Sequence, residues 1–171
     1  MTWRGSNTTT DRFMSFLVYG LPLSSGAGYG IFLLQKLPLL GRIIYLLLSP
    51  FLFVDSLING LIPGGYGRLV IFFALLLLVV RNQSIRHFVR FNTMQAILIM
   101  IAVSICSLVF SLFGITLTGL NLNSNFLVEI VFTTIFLGVL AACVYSMIRA
   151  IQGLYPEIPV ISDATYSQVP R

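Results

Sequence analysis

Long apolar runs separated by short polar or basic segments organise this chain. "LVIFFALLLLVV" (69–80) has no polar atom in any side chain, and "ILIMIAVSICSLVFSLFG" (97–114) carries no charge. A helix rising about 1.5 Å per residue needs about 20 residues to cross a hydrocarbon layer about 30 Å thick. By that measure four stretches read as spans, near 37–58, 65–81, 92–114 and 126–149. The Gly, Pro and Asn of "NGLIPGG" and "ITLTGLNLNSN" mark turns between them. The predicted fold is all-α. It is a polytopic membrane protein with a four-helix transmembrane domain over 37–150, an N-terminal segment 1–36 and a polar tail 151–171.

Residues 13–35 are uncharged too, but "LPLSSGAGYG" (21–30) interrupts them with Pro22 and three glycines. Proline and glycine disfavour a helix interior, so this segment is expected to lie in the interface or re-enter as two short pieces. Charge supports that choice. With four spans and both termini inside, the inner side holds Arg4, Arg12, Lys36, Arg42, Arg81, Arg86, Arg90, Arg149 and Arg171, and the outer side only Arg68. Making 13–35 a further span moves Arg4 and Arg12 outside and weakens the positive-inside bias. The opening could also be read as a secretory signal, with Arg4 and Arg12 before "FMSFLVYGLPL" and "SSGAG"; the spans that follow argue against it.

Composition agrees with a lipid solvent: 57% of residues are hydrophobic and 9% charged, against about 25% charged in soluble domains. The net charge of +5 then speaks of orientation. No basic tract with interleaved aromatics occurs, so no nucleic-acid partner is expected. Cys106 and Cys143 sit in apolar runs and read as small apolar fillers. His87 is the single histidine. No metal-ligand spacing, GxSxG, Walker loop or nucleotide fingerprint is present. "GAGYG" (26–30) lacks the strand and helix that a phosphate loop needs. Neither enzyme activity nor a cofactor is expected.

The third span carries a pattern. At 100° per residue, Arg86, Arg90, Thr93, Ser104, Ser107 and Ser111 share a sector of about 120°. Small hydroxylated residues on one face serve either a packing seam between helices or the wall of a wet groove. Ser84 is placed to cap this helix. Asn92 and Gln95 lie off the stripe beside Phe88 and Phe91, suited to bonding a neighbouring helix or lipid head groups. In the fourth span Gly138, Ala141 and Ala142 form a small face suited to helix packing. Asp55 and Glu129 fall near helix ends, either as interfacial carboxylates in water or as polar groups facing the bundle interior.

Two segments carry a resemblance. "VRN", "HFVRFN" and "MQAI" within 79–97, and "YPEIPVIS" at 155–162, together resemble the twenty-kilodalton subunit family of the chloroplast inner-envelope protein import translocon (the Tic complex), including its cyanobacterial and plastid-encoded members. "LVYGLPL" and "LPLL" match more loosely, and "SSGAGYG" departs from the pattern between them. The matching positions include Arg81, Asn82, Arg90, Phe91, Asn92, Gln95, Pro156, Glu157 and Pro159. The resemblance implies four transmembrane helices, no enzymatic residues, and a role as a translocon subunit contributing to a protein-conducting channel. It implies other translocon subunits, membrane lipid and a translocating polypeptide as partners. Four helices hardly enclose a polypeptide, so further copies or other subunits would complete a channel. The short polar start fits a chain made in a bacterium or inside a plastid, in a cyanobacterial plasma or thylakoid membrane or the plastid inner membrane. A scaffold or assembly subunit without a pore and a small-solute transporter are the alternatives.

Overall fold

The computed structural model describes residues 7–62, 66–112 and 126–169, which form helices joined by short non-helical segments. A capping box opens the first helix, with Thr8 Oγ1 accepting from the Asp11 amide and the Asp11 carboxylate accepting from the Thr8 amide. Helices α1 (Thr9–Val18), α2 (Gly20–Gly26) and α3 (Ile31–Lys36) run on through a 3₁₀ turn at Ala27–Gly30. Together they make an apolar helical run over Thr9–Lys36, 28 residues long. Leu37 leaves the helical region (φ −120°, ψ 73°), which a residue before proline disfavours. Pro38 then opens α4 (Pro38–Leu61) at a position where its missing N–H costs nothing, and α4 packs back along α2 and α3. Pro50, inside α4, cannot bond the Leu46 carbonyl. The Ser49 hydroxyl donates to it instead (2.8 Å).

Helix α5 (Gly67–Ala74) continues as a π-helical segment over Leu75–Val80. Helices α6 (His87–Leu112) and α7 (Phe126–Ile151) are 26 residues each. Gly153 takes φ +73° after α7, the left-handed cap that glycine adopts without strain, and α8 (Ile161–Gln168) closes the chain against α6.

Four helices are therefore long and apolar enough to cross a membrane: Thr9–Lys36, Pro38–Leu61, His87–Leu112 and Phe126–Ile151. The count agrees with expectation but the membership does not. The expected span at 65–81 is the short Gly67–Val80 helix, at most about 20 Å of rise. The segment expected to be broken is a helical run of spanning length. Pro22 does not break it, because it falls in the first turn of α2, where a helix has free N–H positions anyway. The glycines serve close approach: a Cβ on Gly20 would meet the Phe51 ring at 1.9 Å, one on Gly26 would meet Val139 at 2.9 Å, and one on Gly30 would meet Phe136 at 2.8 Å. Residues that looked like helix breakers let α4 and α7 seat against the N-terminal run.

Two packed clusters fill the bundle. Tyr19, Leu23, Leu48, Ala96, Ile99, Cys143 and Met147 form one. Tyr29, Phe32, Val103, Phe132 and Phe136 form the other, with Tyr29 edge-on to Phe132 at 5.1 Å. Side chains such as Leu39, Leu46, Leu47, Leu112 and Phe126 point outward, as a lipid solvent permits and water does not. One end of the bundle gathers Asn7, Asp11, Arg12, Arg86 and Gly153. Lys36 and Glu129 are ion-paired where the N-terminal run meets the start of α7.

Candidate functional site

The basic turn between Val80 and α6 is built by its own polar groups. The Asn82 side chain accepts from the Ser84 amide (3.0 Å), which folds the turn locally. The Ser84 amide thus donates into this turn, ahead of the start of α6 at His87. The Arg90 guanidinium donates to the Val80 carbonyl (2.8 Å) and so closes the end of the π-helical segment. Arg86 reaches across to Asp11 (2.8 Å), while Arg81 is exposed.

One turn into α6, a buried polar knot ties it to the N-terminal run. The Tyr19 hydroxyl donates to Asn92 Oδ1 (3.0 Å) and lies 3.4 Å from Gln95 Oε1. Asn92 Nδ2 donates to the Phe88 carbonyl (2.7 Å). Tyr19, Asn92, Gln95 and Ser146 are all fully buried. A tyrosine has one proton, so it cannot serve two acceptors at once. Turning the Gln95 amide over lets Nε2, otherwise buried without a partner, donate to the Tyr19 oxygen. Of the two expectations for Asn92 and Gln95, the neighbouring helix is therefore their partner.

The other face of this turn of α6 grips the C-terminal segment. The Tyr155 ring stands edge-on to Phe88 and Phe91 at 5.2 and 5.0 Å. His87 bonds the Tyr155 hydroxyl (3.1 Å) through Nδ1 and the Val169 carbonyl (3.2 Å) through Nε2. Pro156 is buried, whereas Glu157 and Pro159 are exposed. The segment read as a polar tail folds on its own bundle, because Tyr155, Tyr166 and Val169 supply apolar area that α6 receives.

The predicted polar stripe divides. Arg86, Arg90 and Thr93 are spent at the basic end, with Thr93 fully buried. Ser104, Ser107 and Ser111 are exposed on α6. Ser104 and Ser107 line a groove of about 590 Å³ between α5 and α6, together with Ser25, Tyr29, Tyr66 and Arg68. The buried Tyr29 hydroxyl has no hydrogen bond of good geometry, although Ser107 lies beside it. Arg68 forks onto the Asp55 carboxylate through Nε and Nη2 (3.0 and 2.8 Å). Asp55 and Glu129 are thus each held by a cation, neither free in water nor alone inside the bundle. Among the described residues no cluster could hold a metal.

The small face of α7 is turned the other way from expectation. Gly138 and Ala141 are exposed, and nothing stands within 4 Å of a Cβ added at Gly138. Only Ala142 packs inward. The inner face of α7 carries Phe132, Phe136, Cys143 and Ser146 instead.

A family model described as "Chloroplast import apparatus Tic20-like" matches residues 9–165. The chain belongs to the Tic20 family. It is 40% identical to a Tic20 family protein of Synechocystis over 96% of this chain and 98% of that one. It is 35% identical to the Tic20 family protein Ycf60 of Pyropia yezoensis (92% and 75% covered) and 31% identical to Protein TIC 20-II, chloroplastic, of Arabidopsis thaliana (99% and 78%). This Tic20-family chain is accordingly a multi-pass membrane protein and not an enzyme.

Within the Tic20 pattern, the structure gives most signature positions a task inside the chain: Asn82 folds the turn, Arg90 closes a helix, Phe91 holds the tail, and Asn92 and Gln95 hold Tyr19. Tyr19 and Tyr29 did not stand out from the sequence, and Arg68 stood out only as the one outer cation. Tyr19 had one signal, a lone phenol oxygen in an apolar stretch beside Gly20, within the loosely matching "LVYGLPL".

Proposed function

We propose that this chain is a membrane subunit of a protein translocation machinery and that its α5–α6 groove forms one wall of a protein-conducting path. The observation that supports the reading is the groove itself. It places Ser25, Tyr29, Ser104 and Ser107 along helices of spanning length, with Arg68 at its edge. Hydroxyls lining an open groove in an otherwise apolar membrane section would hydrogen-bond an extended backbone in transit. One chain supplies one wall, so other translocon subunits or further copies complete the path. Both termini lie on the inner side in this reading. The bundle end that joins the start of α1 to the end of α7 gathers Arg12, Arg86 and Arg149, with Arg81 and Arg90 in the same basic turn, as the positive-inside rule favours.

A scaffold role without a pore is the second reading. It draws on Arg86, Arg90 and Thr93, which are occupied in packing rather than facing a path. A small-solute transporter would need Asp55 or Glu129 to meet substrate, and both are held by cations.

Single cysteines separate the first two readings. With Cys106 and Cys143 replaced, Ser107→Cys should react with a membrane-impermeant maleimide supplied on both faces of the membrane, as should the exposed Ser84→Cys. Leu137→Cys, on the outward face of α7, should stay protected. Protection of Ser107→Cys with normal labelling of Ser84→Cys would remove the conducting reading and leave the scaffold. An arrested precursor carrying a photo-crosslinker should also reach Ser104 and Ser107 in preference to Leu137.

A further inference from the structure

A second cavity, of about 650 Å³, lies nearer the basic end, between α1, α4, the Leu75–Val80 segment and α6. Met14, Leu17, Val54, Leu75, Val79 and Val89 line it. We infer that it holds one acyl chain of an anionic phospholipid whose phosphate rests on the basic turn at Arg81. The argument has three parts.

The first is the wall. Almost every lining side chain is apolar, and Met14, Leu17 and Val54 are partly exposed, so the space opens toward lipid. Water needs two to four polar partners to stay in such a place. Here only Thr93 and Asp11 offer polar groups, and Asp11 already serves Thr8 and Arg86. An empty space of this size would forfeit dispersion contacts on all its sides.

The second is length. The Gly67–Val80 helix rises at most about 20 Å where the hydrocarbon is about 30 Å thick. The last turns of this short helix line the cavity through Leu75 and Val79, and the lateral space they leave beside α1 and α4 is of the kind an acyl chain of the bilayer fills.

The third is charge. Ile85 lines the cavity from within the turn "RNQSIR", the turn that carries the exposed Arg81. Basic residues beside an acyl-chain slot attract a net negative head group and give a zwitterionic one little advantage. Arginine also matches phosphate geometrically, through its planar fork.

The test uses the full chain purified in mild detergent and titrated with phosphatidylglycerol or with phosphatidylcholine carrying the same acyl chains. Native mass spectrometry counts the retained lipid. One phosphatidylglycerol per chain should be held in preference to phosphatidylcholine. Val54→Trp, which fills the cavity, should weaken retention by about tenfold, the equivalent of about two buried methylenes. Arg81→Ala should weaken phosphatidylglycerol by about fivefold and leave phosphatidylcholine unchanged. Leu47→Trp, on the outward face of α4, should change neither. Where Val54→Trp fails to fold, Leu17→Trp fills the same space from the opposite wall. Equal retention of the two lipids, or full retention by a folded cavity-filling variant, overturns the proposal. So does efficient cross-linking of Val54→Cys to a second protein chain, which would show the cavity filled by protein. The readout is lipid, not cargo, so its failure is separable from failure of the translocation reading.

Discussion

Replacing Tyr19 by Phe removes one oxygen and almost no volume, so it isolates the polar knot from packing. In the native chain that oxygen is fully buried and donates to Asn92 Oδ1 at 3.0 Å, linking the N-terminal run to α6. Interhelical hydrogen bonds in membranes contribute about 0.6 kcal/mol on average and up to about 1.7. Here the loss also leaves the fully buried Asn92 Oδ1 and Gln95 amide without the Tyr19 oxygen, which costs more than the bond alone. Tyr19→Phe should therefore cost about 1–2 kcal/mol. The variant would be unfolded reversibly in mixed micelles by rising dodecyl sulfate, with the exposed Tyr45→Phe as a control expected within about 0.5 kcal/mol of the native chain. A double-mutant cycle with Asn92→Ala should return a coupling of about 1 kcal/mol. A Tyr19→Phe cost no larger than that of Tyr45→Phe, or a cycle without coupling, would refute the knot as a tie between these helices.

Three further outcomes follow from the geometry. Gly30→Ala should destabilise by about 1–3 kcal/mol because its Cβ would meet the Phe136 ring at 2.8 Å. Gly60→Ala, with nothing within 4 Å, should be neutral or stabilising by up to about 1 kcal/mol; the same unfolding titration ranks them, and equal effects would contradict the close approach. Gly153→Ala should cost at least about 1 kcal/mol, since the new Cβ meets both a φ of +73° and the Arg12 guanidinium at 2.8 Å, and hydrogen exchange should rise at the α1 start and the α7 end together. Tyr155→Ala should release α8: exchange over 161–169 should quicken and protease should clip there while α6 stays protected, and an unchanged pattern would show that His87, Phe88 and Phe91 do not hold the tail.

Legibility varied along the chain for physical reasons. α6 and α7 were readable because uninterrupted apolar length is a local property. The basic turn was readable as a feature, and the tasks of Arg86 and Arg90 were not, since their partners, Asp11 and the Val80 carbonyl, lie 75 and 10 residues away. Asn92 and Gln95 were recognised as polar groups needing partners, while their partner Tyr19 lay in a stretch read as broken. Gly138 and Ala141 were read as a packing face from their spacing, but spacing states only that two residues share a face. Which face turns inward depends on the neighbours, and here Phe132, Phe136 and Cys143 occupy the inside. The turns near 63–65 and 115–125, and the termini with Arg4 and Arg171, lie outside the described residues.

By itself the sequence determined that this is an all-helical chain for an apolar solvent, with a basic turn before its third long helix. Those are consequences of composition and of contiguous length, which neighbours do not alter. The tertiary structure alone decided that residues 9–36 make a helical run and 67–80 a short one. Pro22 and the glycines carry two meanings, a weak helix or a close contact, and the choice between them needs the Phe51, Val139 and Phe136 side chains that come to rest against Gly20, Gly26 and Gly30.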